Sequence, residues 1–446
     1  MPADNRPNII FILADDLGYS ELGCYGNKFN ETPNIDKMTM QGIRFTQAYA
    51  AAPVCSPYRA ALMTGQYPAR VGITDYLKPD DSMFLDTSYV LLPEVLKANG
   101  YHTGIIGKWH LSGYRSENAP VEVLPDQQGF DEVLISENRG IGPVSFFYPY
   151  HFNREIVKKL PTQHEHLIDR QNMEAVDFIE RNKEQPFFLY LSHYAVHTNV
   201  HGKPELVDYF RKKKGAQTSP PHINNQQNDP YKKWPADFQA PNNNPHLAAQ
   251  LFSIDEGVGM IMEKLRELDI DKNTVVIFTS DNGGETNVTD NSPLRAGKSS
   301  LYEGGIRIPL LIWNPGMFGE ARDDQNQVVN YDFYPTFMEL TGTHSVQQKM
   351  DGVSLIEILK KPGIRLKERS LFWHYPLEKP HFLGGRSSGS IIKGDWKLIE
   401  FFDTDEKELY NIRIDITEER NLVGDYPDKM QELLSELSEW RQKVQY

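Results

Sequence analysis

Cysteine is almost missing from this chain. Only Cys24 and Cys55 occur in 446 residues, which excludes a disulfide-stapled scaffold and leaves the redox compartment open. Long apolar runs are missing as well: none reaches the roughly 18 residues of a membrane span, so no interaction with a membrane is expected. Basic residues are in deficit, 47 against 61 acidic, for a net charge of −14. No general grip on nucleic acid is therefore expected, and a polyanionic substrate must be met by a local basic pocket. The opening Met1-Pro-Ala-Asp-Asn-Arg-Pro7 lacks the charged and apolar regions of a signal peptide. Two readings stay open: a cytoplasmic protein, or a periplasmic or secreted one whose export signal is absent from this chain. No internal repeat is evident. The remaining composition, 39% hydrophobic and 24% charged, is that of an ordinary globular protein, with length for one large domain and a smaller one.

Several apolar runs have the length of strands buried on both faces, and their carboxyl ends carry the polar chemistry. Asn8-Ile-Ile-Phe-Ile-Leu13 empties into Asp15-Asp16, and Thr274-Val-Val-Ile-Phe-Thr-Ser280 into Asp281-Asn282-Gly-Gly284. Adjacent buried carboxylates repel unless a cation or strong donors lie between them. Oxygen ligands alone select a hard ion, Ca²⁺ or Mg²⁺, over zinc; solvated acids in an Asx turn are the alternative. Tyr101–Gly107 reads as a strand delivering Lys108 and His110, and Phe187–Ser192 as one delivering His193 and His197. Helices are expected at about 32–41, 91–98, 163–182, 246–268 and 334–340, with a strand from Ile43 to Tyr49. The polar stretch 211–245 reads as a surface insertion. Past 370, short strands with turn signals and a terminal helix from Pro427 to about Gln442 mark a change of character.

Pro53-Val-Cys-Ser-Pro-Tyr-Arg-Ala-Ala-Leu-Met-Thr-Gly65 organises the rest. Ser56 reads as a helix N-cap, Pro57 as the first helical residue and Gly65 as the residue that ends the helix. Cys55 then stands where a helix N-terminus favours an anion, with Arg59 one turn on. A capped core helix with an inert buried thiol is the plainer alternative.

Cys55-Ser-Pro-Tyr-Arg59 and the following Leu62-Met-Thr-Gly65 resemble the signature of the type I sulfatases. Tyr58 departs from it, standing where that family usually has a small residue. Gly100-Tyr-His-Thr-Gly-Ile-Ile-Gly-Lys-Trp-His110 resembles the family's second signature. Gly297-Lys-Ser-Ser-Leu-Tyr-Glu-Gly-Gly-Ile-Arg-Ile-Pro309 resembles its lysine loop, and Glu408-Leu-Tyr-Asn411 and Glu419-Arg-Asn-Leu422 resemble its C-terminal region.

The resemblance implies an α/β fold of the alkaline phosphatase-like type. It would have a large, mixed, mostly parallel sheet sandwiched by helices over 1–345. A smaller C-terminal α+β subdomain, an antiparallel sheet with a helix, would occupy 346–446. It implies that a maturation enzyme oxidises Cys55 to Cα-formylglycine, whose hydrate attacks sulfur. A divalent ion, Ca²⁺ or alternatively Mg²⁺, would be held by Asp15, Asp16, Asp281, Asn282 and the modified Cys55. Asp281 would be the base for attack; Lys298 and His197 would neutralise sulfate and protonate the leaving oxygen; His110 would take the second hydroxyl's proton. Arg59 and Lys108 would hold the diol and the anion. The implied substrate is a sulfated carbohydrate, because the His193-Tyr-Ala-Val-His197 loop and Gly384-Gly385-Arg386 look like those of bacterial polysaccharide sulfatases. Arg386 and His374 are the candidate sugar contacts, with surface salt bridging as their alternative. Two other functions stay in view: a phosphate or phosphonate ester hydrolase on the same fold, and a non-catalytic glycan-binding protein if Cys55 is never oxidised.

Overall fold

The computed structural model describes residues 6–78, 81–112, 123–134, 136, 145–150, 156–162, 164–217, 242–343 and 346–444. An eight-stranded sheet runs Glu132–Leu134, His102–Gly107, Phe187–Ser192, Asn8–Ala14, Thr274–Ser280, Leu310–Trp313, Gly42–Phe45, Arg322–Asp324. Its first five strands are mutually parallel, Leu310–Trp313 is antiparallel to both neighbours, and the edge strand again runs parallel. This is the mixed, mostly parallel sheet expected.

Asn8–Ala14 shows why the runs are apolar throughout. Ile10, Ile12 and Ala14 face a core built with Leu167, Phe178 and Ile179 of helix Leu167–Asn182 and Ile254 and Val258 of helix Pro245–Glu267. Ile9, Phe11 and Leu13 face the opposite core, with Tyr58 and Leu62 of helix Cys55–Thr64, Leu92 and Leu96 of helix Leu92–Ala98, and Phe337 of helix Phe333–Thr341. Alternate residues serve opposite faces, so both must be apolar. Each such side chain contributes about 1.5–3 kcal/mol by leaving water.

Beyond it, Ser370–Tyr375, Ser388–Lys393, Trp396–Phe401 and Lys407–Asn411 form an antiparallel four-stranded sheet. Helix Pro427–Val444 covers one face with Leu433, Leu437 and Trp440. The ring of Trp440 stacks on Phe372 at 4.9 Å. The opposite face sends Trp373 against Tyr49, its indole N–H donating to Ala50 O at 2.7 Å. Among the described residues no helix is long and apolar enough to cross a membrane.

Three expectations shift. Ile43 to Tyr49 is two strands, Gly42–Phe45 in the large sheet and Ala48–Tyr49 paired with Val328–Val329. Helix Pro204–Arg211 precedes the expected insertion, burying Val207 and Phe210; most of 211–245 lies outside the described residues. The Cys55 helix begins at Cys55 itself, capped by Val54 without a side-chain bond. Ser56 Oγ is engaged elsewhere, accepting from the N–H of Leu77 at 3.0 Å. Pro57 therefore sits at the third helical position, where its missing N–H is still one of the unpaired four. Gly65 closes the helix as expected, at φ 69°.

One cap makes a pH prediction. His166, 1% exposed, opens helix Leu167–Asn182: its Nδ1 accepts from the N–H of Ile168 at 3.3 Å, and its Nε2–H donates to His201 O at 2.8 Å. Burial lowers its pKa from 6.5 to about 4. The unfolded chain therefore binds this proton first, so stability is full above 6.5 and falls as pH drops toward 4. The loss reaches about 3 kcal/mol. His166→Asn, which keeps a capping acceptor, should flatten the acid limb of Tm against pH in that window; an unchanged limb would remove His166 as its cause.

Candidate active site

Parallel register places the polar strand ends in a row. Ala14 pairs with Ser280, Leu13 with Ser192, and Gly107 with Ser192. The next residues, Asp15, Asp281, His193 and Lys108, thus emerge side by side at the carboxyl edge, where open α/β sheets bind ligands. Asp16 and His110 take left-handed backbone angles, φ 60° and 57°, which non-glycine residues adopt rarely and at some cost.

Asp15, Asp16 and Asp281 are buried, and each offers an oxygen within 4.8 Å of the others. Burial, then Asp281, raises Asp15 to about 8, despite its ion pair with Lys108. Asp16 is held below the usual carboxylate range: burial opposes this, but Lys298, His197 and Lys108 outweigh it. Lys298 Nζ lies 2.6 Å from Asp16 Oδ2, and His197 Nε2 lies 3.7 Å from the same oxygen. Asn282 Nδ2–H donates to Asp16 Oδ1 at 2.8 Å. Asp15 Oδ1 and Asn282 Oδ1 are buried without a hydrogen-bond partner. Orphaned oxygens amid crowded carboxylates are a donor set that fits a hard divalent cation.

Cys55 closes the cluster from the other side. Its Sγ lies 3.1 Å from His110 Nδ1, while Nε2–H of that ring donates to Leu77 O at 2.9 Å. That bond fixes the tautomer and turns the basic nitrogen toward Cys55. Burial, then Lys108, hold His110 well below its ordinary range, so the ring is neutral at pH 7. Burial pushes the Cys55 thiol up to about 11. Arg59 is fully buried; its guanidinium reaches Asp281 Oδ2 at 2.8 Å, Ser192 Oγ at 2.6 Å and Lys108 O at 3.0 Å. Lys298 is delivered by a loop pinned on both sides: its N–H donates to Gly284 O, and that of Ser299 to Pro53 O, two residues before Cys55.

The structure therefore gathers Cys55, Arg59, Lys108, His110, His197, Lys298, Asp15, Asp16, Asp281 and Asn282 into one cluster, buried except at His197, which is partly exposed. His193 turns away, its Nδ1 meeting Gln171 Oε1 at 3.3 Å. Arg386 and His374 lie apart from it: among the described residues no contact joins either to the cluster. Arg386 pairs with Asp403 and Glu406, both at 2.9 Å, and lies over the Phe401 ring. His374 packs on Phe402. The sequence reading missed Ser192, which anchors Arg59, and Glu285, whose carboxylate accepts from Thr198 beside His197. A hydroxyl ending a buried strand and an acid following Asp281-Asn-Gly-Gly284 were the available signals.

Three fixed cations (Arg59, Lys108, Lys298) face three carboxylates, so a bound divalent cation leaves the site net positive. That is the sign an anionic ester requires. The comparisons agree. A family model described as Sulfatase matches residues 7–343, and one described as N-sulphoglucosamine sulphohydrolase, C-terminal, matches 296–445. The chain is 32% identical to N-acetylgalactosamine-6-sulfatase of Homo sapiens, over 83% of this chain and 69% of that protein. It is 28% identical to a sulfatase of Formosa agariphila, over 96% of this chain and 86% of the other. The solved structure of Ps i-CgsB in complex with k-i-k-neocarrahexaose superposes with a TM-score of 0.79 at 29% identity, covering 99% of this chain and 94% of that one. The chain belongs to the sulfatase family, and it is a sulfuric ester hydrolase.

Proposed function

We propose that the protein removes sulfate from a sulfated carbohydrate, with position 55 as the nucleophilic centre. The observation that carries this reading is the enclosure of Cys55 by His110, Lys108, Lys298 and the carboxylate cluster. A relative named N-acetylgalactosamine-6-sulfatase and a similar structure solved with a neocarrahexaose bound support the substrate class. The maturation enzyme that makes Cα-formylglycine from Cys55 is the implied partner.

Asp15, Asp16, Asp281 and Asn282 would hold the divalent cation, with the modified side chain at 55 beside them. When bound, the cation supplies charge neutralisation and acidifies an oxygen nucleophile, and formylglycine hydrate supplies that oxygen. The chain's own groups do the rest. Lys298 and Lys108 stay protonated beside their carboxylates, both raised above the ordinary lysine range against the effect of burial. They bind and neutralise the sulfate oxygens. Arg59 locks Asp281 and the Lys108 carbonyl in place. His197 presents Nε2 toward the cluster, because its Nδ1–H donates to Thr198 O at 2.5 Å. Burial, then Lys298, depress it to about 3, so the ring is neutral at pH 7 and Nε2 is an acceptor; the proton for the leaving alkoxide is carried by Lys298, which stands protonated on the same Asp16 oxygen. His110 Nδ1 accepts a proton from the group at position 55.

A panel of sulfated oligosaccharides and matched phosphate and phosphonate monoesters, scored for released anion, tests the reading. Sulfate release from at least one sugar should exceed phosphate release by about 100-fold or more in kcat/KM. Faster phosphate or phosphonate release would overturn it.

A further inference from the structure

We propose that Tyr76, His381 and Phe382 form the platform on which the ring of the sulfated sugar lies while its sulfate occupies the Cys55 cluster. The proposal rests on the carbohydrate reading above and names residues that the sequence reading passed over.

Phe382 is the starting point. It is 75% exposed on the loop joining Ser370–Tyr375 to Ser388–Lys393, more than the other exposed aromatics among the described residues, Tyr209 and Tyr426. The loop has a defined shape: the N–H of His381 donates to Gly385 O, and that of Gly384 to His381 O, both at 2.8 Å. Leu377 N–H donates to Ser387 Oγ at 2.9 Å across its base. The loop is seated on the catalytic backbone. A Cβ on Gly385 would stand 1.8 Å from Ser299 O, so only glycine permits the approach. Ser299 follows Lys298 and bonds to Pro53, so the loop rests on the segments that carry Lys298 and Cys55.

His381 is 8% exposed and its ring meets both Phe382 and Tyr76. Its ring centroid is 4.3 Å from that of Phe382 and 5.6 Å from that of Tyr76, the latter edge-on at 81°. Tyr76 reaches this place from the opposite wall, since the next residue, Leu77, bonds through its N–H to Ser56 and through its carbonyl to His110. Tyr76, His381 and Phe382 thus touch in sequence, ring against ring, beside the segments that carry Cys55, His110 and Lys298. Lys298 and Asp16 are close enough to influence the imidazole, which burial, then Lys298, lower to about 4. His381 is therefore neutral at pH 7. Its Nδ1 accepts from Leu383 N–H at 3.2 Å, which leaves the proton on Nε2 as a donor for a ring hydroxyl.

A pyranose presents a face of C–H groups and a rim of hydroxyls. Adjoining aromatic rings with one N–H donor match that pattern, dispersion on the face and a hydrogen bond at the edge. A sulfate pocket alone would bind every sulfate ester alike; the platform gives the site a preference for a sugar ring.

The test compares wild type, Phe382→Ala and Phe382→Trp on a sulfated oligosaccharide that the wild type desulfates, with inorganic sulfate as product inhibitor. Phe382→Ala should raise KM about 10-fold, as expected for losing one ring contact, with kcat within about 2-fold. Phe382→Trp should restore KM, and the inhibition constant of sulfate should stay the same in all three. Because Phe382 is exposed, its loss leaves the fold intact, which an unchanged Tm checks. An unchanged KM in Phe382→Ala, or an equal rise in the sulfate constant, would overturn the platform while leaving the carbohydrate reading standing. A wild type that desulfates only non-carbohydrate esters would overturn both.

Discussion

Cys55→Ala should lower kcat on any sulfate ester on the order of 10⁴-fold or more, the scale on which removing a covalent nucleophile acts. The fold should survive. Cys55 is 1% exposed in a tight site, but the substitution deletes a single heavy atom and costs about 1 kcal/mol. The argument extends to the unmodified protein. With its thiol pushed up to about 11, almost no thiolate exists at neutral pH. A cysteine here is thus a poor nucleophile, and it would also have no second hydroxyl through which a sulfated intermediate could collapse and shed sulfate, which a formylglycine hydrate would have. Steady-state sulfate release with a matched Tm measurement checks this. Retained turnover in Cys55→Ala would refute position 55 as the nucleophilic centre.

Asp281→Asn should lower metal content and kcat together, with kcat down about 10³-fold, as when a transition-state charge loses its stabiliser. Asp281 supplies one of three clustered carboxylates, accepts from the N–H of Asp16 at 3.0 Å and holds Arg59 at 2.8 Å. Asparagine preserves the shape and removes the charge. Arg59 then keeps Asp15 at 3.8 Å as its remaining carboxylate, so a stability loss of up to about 3–5 kcal/mol should accompany the change. Metal analysis of purified protein separates the effects. Full metal occupancy with low kcat would remove Asp281 from the cage and leave it a role through Arg59 alone.

What the sequence made legible follows from where one residue's environment is set locally. Ile9–Ala14, Phe187–Leu191 and Val275–Phe278 are apolar at successive positions because both faces are covered, so they read as central strands and their polar exits as the site. Pairing partners are not local. Ala48-Tyr49 looks continuous with Gly42–Phe45, yet its partner is Val328–Val329, some 280 residues away. The Ser56 hydroxyl resembles a helix cap until Leu77 supplies a donor from 21 residues on. Helix Pro204–Arg211 was hidden because only Leu206, Val207 and Phe210 mark its apolar side beside a run of lysines. The close approach of Gly385 to Ser299 O depends on a partner 86 residues away and is not visible locally. The charge of Arg386 suggests a ligand contact, but Asp403 and Glu406 across the hairpin occupy it.

The central claim, that Cys55 works as an aldehyde inside this cage, is tested most directly by the mass of the peptide spanning Cys55. It should be measured in preparations made with and without a formylglycine-generating enzyme and compared with sulfate release by the same samples. Activity should rise in proportion to the aldehyde fraction, and the aldehyde should be trapped by hydroxylamine. Full sulfate release from protein whose Cys55 is an unmodified thiol would contradict the account.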